Sequence, residues 1–259
     1  MKSRANFTKE DLVVVLGCFV FLLANLGAIG STGRRRAKEA VCLCNLKQWG
    51  VIWKSYTDDH GGFFPDRGSS GSVGWPDSGE PPSGMNGWQY VSEPYYKNHK
   101  ILLCPEAVKP YSKGGKPPFA AWTDQSGEYT GSYCVNLWVS NETSGNYWRT
   151  PYTKRASYAP LLLDGNWKDC QAYHFDAPPN YGDYWWEANQ NEMKRVCVNR
   201  HNAAVNGVFL DLSARKIGLK ELWKIWWHKD WNPNNVPPPD FCTPTVTYNG
   251  WMCHMKDFP

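Results

Sequence analysis

Asp164, His201 and Asp211 combine side-chain type and spacing in a way that can support chemistry. Asp164 and Asp211 each follow a short apolar run, and His201 stands ten residues before Asp211, so a hairpin can bring the three together. Two carboxylates and an imidazole gathered in this way hold a metal ion. Alternatively, a hydrogen bond between His201 and Asp211 simply fixes the hairpin.

Catalysis has no comparable constellation, and the chain reads as a non-enzyme. Gly-x-Ser-x-Gly is absent, and Ser69, Ser70 and Ser72 sit in a Gly- and Ser-rich stretch where serine does turn chemistry. The aromatic run Trp223, Trp226, Trp227 and Trp231 has two readings. It is either a platform for a glycan or partner, or a stripe packed on a sheet or a neighbouring subunit. Nucleic acid is excluded as a partner, because the net charge is only +4 and much of it sits in Arg34, Arg35, Arg36 and Lys38. That basic cluster suits anionic lipid headgroups, or acidic residues of a neighbour in an assembly.

Nine cysteines are many for a reducing compartment. Cys18 lies in an apolar run. The other eight suggest an oxidising setting, with the pairing open, while buried free thiols are the other reading. Cys42 and Cys44 cannot pair with each other on a helix, since residues two apart face different ways. No paired Cys-x-x-Cys zinc spacing occurs.

The elements that must position these residues begin with a long helix. Leu12 to Ile29 is an uncharged run of eighteen residues, about the minimum that spans a bilayer as a helix. Lys and Arg on its two sides do not decide the orientation. Gly30 and Gly33 form a weak point where the helix can bend. From Arg34 to Thr57 the helical period returns, with Cys42, Leu46, Trp49, Trp53 and Tyr56 on one face that needs a partner. Asp58 to Gly62 ends it. At roughly 1.5 Å per residue, Phe7 to Thr57 extends about 75 Å.

Beyond the helix, residues 61–229 read as a loop-rich β domain and 230–259 as a Pro- and aromatic-rich tail. Residues 66–87 and 109–131 read as loops. Ser132–Ser140, Leu161–Leu163 and Val205–Leu212 read as strands, and Lys220–Trp223 begins a short helix or strand. The fold class is α+β.

Several of these motifs, in this order, resemble the type IV pilin-like and type II secretion pseudopilin-like proteins, in particular the planctomycete-type group. Phe7-Thr8, an acidic residue and an apolar helix resemble their mature N-terminus. Cys44-Asn45-Leu46-Lys47-Gln48, then Tyr56, Asp59, Gly62 and Phe64-Pro65, resemble the end of their first helix. Cys104-Pro105 is similar to their mid-chain Cys-Pro, and Ser132-Tyr133 with Asn136 to their Ser-Tyr-x-x-Asn strand. Arg200-His201-Asn202 with Asp211 is similar to their His-x9-Asp-Gly signature, with Leu212 in place of glycine.

The resemblance implies a type IV pilin-like fold, a long helix packed on a small antiparallel sheet. It also implies a structural subunit of a pilus- or pseudopilus-like filament. Leu12, Val15, Phe19, Leu22 and Leu26 would be its assembly positions, and copies of itself or related pilin-like subunits its partners. Some pseudopilins hold calcium, so the cofactor is either none or a structural calcium at Asp164, His201 and Asp211. Processing would act at Phe7, with Asp11 as the acidic residue that meets a neighbour's amine. Asn6 replaces the glycine that prepilin peptidase needs, and Lys9 and Glu10 add charges. The expectation is that the short leader, residues 1–6, stays on. The alternative function is a non-polymerising anchored protein with an aromatic binding surface. The location expected is the inner membrane with the domain outside, or a cell-surface filament.

Overall fold

The computed structural model describes residues 9–66, 87–124, 127–143, 145–184, 191–234, 239–243 and 249–256. The side chains of Asp11 and of residues 22–29 are outside that set. Asn6 and Phe7, the side chains of Asp11, Leu22 and Leu26, and nearly all of the 66–87 loop therefore lie outside the described residues.

One helix dominates. Helix α1 (Lys9–Asp59) runs without interruption through Gly30 and Gly33. It ends at Gly61 and Gly62, which adopt left-handed φ of 65° and 89°. The Gly62 amide reaches back to the Thr57 carbonyl at 2.7 Å, satisfying a carbonyl that the last turn leaves open. The face spaced by fours and threes is the buried one: Cys42, Leu46, Trp49, Trp53 and Tyr56 are at most 6% exposed. Among the described residues no helix is long and apolar enough to cross a membrane.

The main sheet has five strands in the order β6-β4-β5-β7-β8. They are β4 (Tyr133–Asn136), β5 (Pro160–Asp164), β6 (Asp169–Cys170), β7 (Ala204–Phe209) and β8 (Ala214–Gly218). β4, β5, β7 and β8 pair antiparallel, but β6 joins β4 in parallel. The sheet is therefore mixed, not wholly antiparallel as expected. A crossover of about 30 residues, holding β5 with its turns, separates β4 from β6 and permits the parallel edge. A second small sheet, β1 (Lys109–Pro110), β2 (Ala120–Thr123) and β3 (Thr130–Gly131), forms within the stretch expected to be loop. Its strands are two to four residues long, too short to carry a period.

Every position of β4, β5 and β7 is buried. Strands covered on both faces lose the polar–apolar alternation that marks a half-solvated sheet. α1 packs against β5, β7 and β8. Gly50 permits the approach, because a Cβ there would stand 3.0 Å from Val208 Cγ2. Aromatic rings mix with aliphatic side chains in the rest of the core: Trp88, Trp122, Trp138, Trp148, Trp223, Trp227 and Trp231 all belong to one buried cluster. The short helix α2 (Trp88–Ser92) and a 3-10 turn at His99–Leu102 complete the cover beside α1.

Candidate functional site

Two features of the molecule stand apart from ordinary packing. The first is the exposed first half of α1. Leu12, Val13, Val14, Val15, Leu16, Phe19, Val20 and Phe21 are 45 to 70% exposed. They fall in two runs, 12–16 and 19–21, and so surround the helix instead of striping it. A helix apolar on all sides belongs in apolar surroundings. The first buried residue of α1 among those described is Cys42. Ahead of it, ion pairs join helix and domain: Lys38 with Glu106 at 3.1 Å and Glu39 with Lys216 at 3.0 Å. Lys38, expected at lipid headgroups or on a neighbour, thus has a partner within the same chain.

The second feature is a buried polar cluster where four separate segments meet. Asn45, one turn beyond Cys42, donates to the Leu103 carbonyl at 3.1 Å, and Trp49 donates its indole N–H to the Ile101 carbonyl at 2.8 Å. These two bonds lay the 101–104 segment along α1 and bring Cys104 opposite Cys42. Ser132 fixes the same segment, since its Oγ accepts the Cys104 amide at 2.6 Å. Asp164 ends β5. His201 enters from a turn in which Asn202 and Ala203 both take left-handed φ, 56° and 61°. For an alanine that conformation costs about 1 kcal/mol. The turn is held by the Ala203 amide on Asn199 Oδ1 at 2.8 Å and the His201 amide on the Ala204 carbonyl at 2.9 Å.

The donor atoms of Cys42, Cys104, Asp164 and His201 all lie within 4.8 Å of one another, and all four residues are buried. His201 Nε2 is 3.1 Å from Asp164 Oδ2 and 3.4 Å from Cys104 Sγ. Cys42 Sγ is 3.6 Å from both Asp164 oxygens, and the Tyr133 hydroxyl donates to that sulfur at 3.4 Å. Asp164 also accepts Arg200 Nη1 on Oδ1 at 3.1 Å and the Asn206 amide on Oδ2 at 2.8 Å. Arg200 is wholly buried and donates besides to the carbonyls of Pro118, Ser132, Ala120 and Gly165. Each guanidinium nitrogen therefore has a partner, and burial of the charge is compensated.

These contacts set the electrostatics. Burial alone would raise the Asp164 carboxyl. The hydrogen bond and charge of His201, with Arg200 and the Asn206 amide, overcome that and hold it down at about 2. Burial likewise opposes charge on His201, yet its bonds to Asp164 and Cys104 lift it to about 10. Burial pushes the Cys42 thiol well up, and its bond to Cys104 adds to the rise. For Cys104 burial works the same way, but hydrogen bonds from Cys42 and His201 and the Arg200 charge bring the thiol below its ordinary value.

The cluster is not arranged as a Cys-His-Asp relay. Such a relay uses both imidazole nitrogens, one toward the nucleophile and one toward the carboxylate. Here Cys104 and Asp164 converge on the same Nε2. Nor does the donor set suit the calcium expected from resemblance, since calcium takes oxygens and Asp164 faces sulfur and nitrogen. Asp211 does not join. His201 precedes β7 and Asp211 follows it, so a six-residue strand separates them by roughly 20 Å. The exposed Asp211 carboxylate caps its own turn, accepting the Ser213 amide at 2.9 Å and hydroxyl at 2.6 Å.

Cys242 and Cys253 form the only disulfide among the described residues, and Cys18, Cys42, Cys44, Cys104, Cys134, Cys170 and Cys197 are free thiols. Trp223, Trp227 and Trp231 are buried, and Arg155 lies over Trp226 at 3.8 Å, so this run forms no open aromatic platform. A cavity of about 540 Å³ opens between α1 and the turn carrying His201; Arg35, Arg36, Glu39, Glu106, Arg200 and Lys216 are among its lining residues. Comparison with protein-family models, curated proteins and solved structures returns no match.

Cys42, read from sequence as a packing residue, and Cys104 and Arg200 are the members of the cluster that spacing alone missed. A signal did exist. Cys104-Pro105, Ser132-Tyr133, Asp164-Gly165 and Arg200-His201 are each a polar or thiol residue placed beside a turn or strand end, and the fold brings them to one point.

Proposed function

We propose that this chain is a pilin-like structural subunit of a pilus- or pseudopilus-like extracellular filament, with the type IV pilin plan of a long helix on a sheet. Before assembly it is held in the inner membrane with the domain outside. The observation that carries the proposal is the exposed first half of α1, apolar on all faces from Leu12 to Phe21 and ahead of Cys42, the first buried residue of the helix among those described. The same surface serves lipid while the subunit waits and neighbouring helices once it is assembled. Its partners are copies of itself or related pilin-like subunits, and membrane lipid. Burial of Trp223, Trp227 and Trp231 leaves the alternative, an anchored binding protein with an aromatic surface, without a supporting observation at that site.

Electron microscopy of sheared cell-surface material, with the chain carrying a gold-detectable tag, tests the proposal. Labelled fibres are expected. Tag found only in membranes, with crosslinks to no copy of itself or other pilin-like chain, would overturn assembly. Intact mass of the mature chain settles the leader: a start at Met1 agrees with Asn6 blocking cleavage, whereas a methylated Phe7 start rejects that part.

A further inference from the structure

We propose that Cys42, Cys104, Asp164 and His201 form a buried tetrahedral site for a zinc ion. Zinc bonds of about 2.3 Å to sulfur and about 2.0 Å to nitrogen or oxygen require donor–donor edges of roughly 3.3 to 3.8 Å in a tetrahedron. The cluster already has edges of 3.1, 3.4 and 3.6 Å, and no two donors are farther apart than 4.8 Å. Some edges are shorter and the widest separation longer than a zinc tetrahedron needs, so the side chains would shift by up to about 1 Å to close on an ion.

Chemistry narrows the ion. Two sulfurs and an imidazole are soft to borderline donors that select zinc over magnesium or calcium, and four protein donors close the shell, as in structural sites. The convergence of Cys104 and Asp164 on one ring nitrogen, unproductive for a proton relay, is what a ligand directed at a shared centre produces. Charge also closes. Two thiolates and a carboxylate around a dication leave one negative charge, and the buried guanidinium of Arg200 beside Asp164 neutralises it.

A supporting shell is in place. Arg200 and the Asn206 amide orient the two carboxylate oxygens, and the Tyr133 hydroxyl points at Cys42 Sγ. Groups of this kind fix ligand orientation and tune affinity. His201 also borders the cavity beneath α1, which gives an ion a way in from solvent. The site would join α1, the 101–104 segment, the end of β5 and the turn before β7, so ion binding contributes to folding.

The test uses the full chain in detergent, purified under reducing conditions without chelator. Elemental mass spectrometry should find about one zinc per chain, falling at least tenfold in Cys42→Ser and His201→Gln and unchanged in Cys197→Ala. Cobalt(II) added to chelator-stripped wild type should give thiolate-to-cobalt charge transfer and the absorption of a tetrahedral centre. Wild type that holds no zinc after reconstitution, or gives no cobalt charge transfer, overturns the proposal. So does non-reducing peptide mapping of chain taken from its native membrane that finds Cys42 joined to Cys104. If the two cluster variants fail to fold, the cobalt spectrum of wild type decides alone.

Discussion

Trp49, on α1, and Ile101, in the turn beside it, share a hydrogen bond of 2.8 Å from indole N–H to carbonyl oxygen, with the indole fully buried. The ring also meets Trp88 and Tyr96 edge-on at 4.8 and 5.0 Å. This contact, with that of Asn45 to Leu103, sets the height at which the loop crosses the helix. Cys104 is opposite Cys42 because of it.

Trp49→Phe leaves the Ile101 carbonyl buried without its donor and removes part of a packed ring. The expected cost is about 3 kcal/mol, read as a shift of the denaturant midpoint. Val51→Ala, on the same helix but 53% exposed, should stay within about 0.5 kcal/mol of wild type. Equal effects of the two would show that Trp49 does not fix the helix to the loop.

Asn136 closes three bonds at once. Its Nδ2 donates to the carbonyls of Pro160 and Trp227, both at 2.9 Å, and its Oδ1 accepts the Trp138 amide at 3.1 Å. Asn136→Ala should therefore cost about 3 kcal/mol. Because Trp227 belongs to the C-terminal aromatic segment, that segment should also become cleavable in limited proteolysis. A variant with wild-type stability and protease resistance contradicts this role.

Asp176 supplies the pH prediction. Burial raises its carboxyl to about 7, although the amides of Tyr173, Glu192 and Met193 pull the other way. The unfolded chain binds fewer protons than the folded one between the ordinary value of 3.8 and about 7. Stability from this group is full below that window and declines as pH rises through it, by up to about 1.4 kcal/mol per pH unit. Asp176→Asn removes the decline, so melting temperatures of wild type and variant should diverge progressively from pH 4 to 7. Parallel profiles count against it.

Phe19→Lys places a charge among the exposed apolar residues of the first half of α1. Phe19 is 61% exposed, so the melting temperature of the domain should not change. Membrane retention or filament incorporation should fall at least tenfold, since a charge at an apolar centre costs about 2.5 to 3.5 kcal/mol. Normal incorporation with unchanged stability would separate this surface from assembly.

The helix was legible because its signals are long: eighteen uncharged residues, then a stripe of five positions repeated at helical spacing. The strands were legible only as apolar runs. β5 and β7 show in Leu161–Leu163 and Val205–Leu212, whereas β6 and β1 are two residues each and leave no pattern. Asp164 and His201 were legible as chemistry by residue type, but their company was not. A separation of ten positions from His201 to Asp211 suggests a shared hairpin, yet β7 occupies the interval as an extended spacer. The partners instead come from Cys42 and Cys104, whose approach depends on the Trp49–Ile101 and Asn45–Leu103 bonds between distant segments. Nothing in local spacing encodes those bonds.

The position of Cys42 at the point where α1 leaves the domain gives the molecule a mechanical character. A sideways load on the projecting half of the helix works as a lever, and the first buried joint it reaches is the Cys42 cluster. A load along the axis is instead shared in shear by Leu46, Trp49, Trp53 and Tyr56 further on. Resistance to peeling therefore concentrates at one rivet, while resistance to pulling is spread along the whole seam.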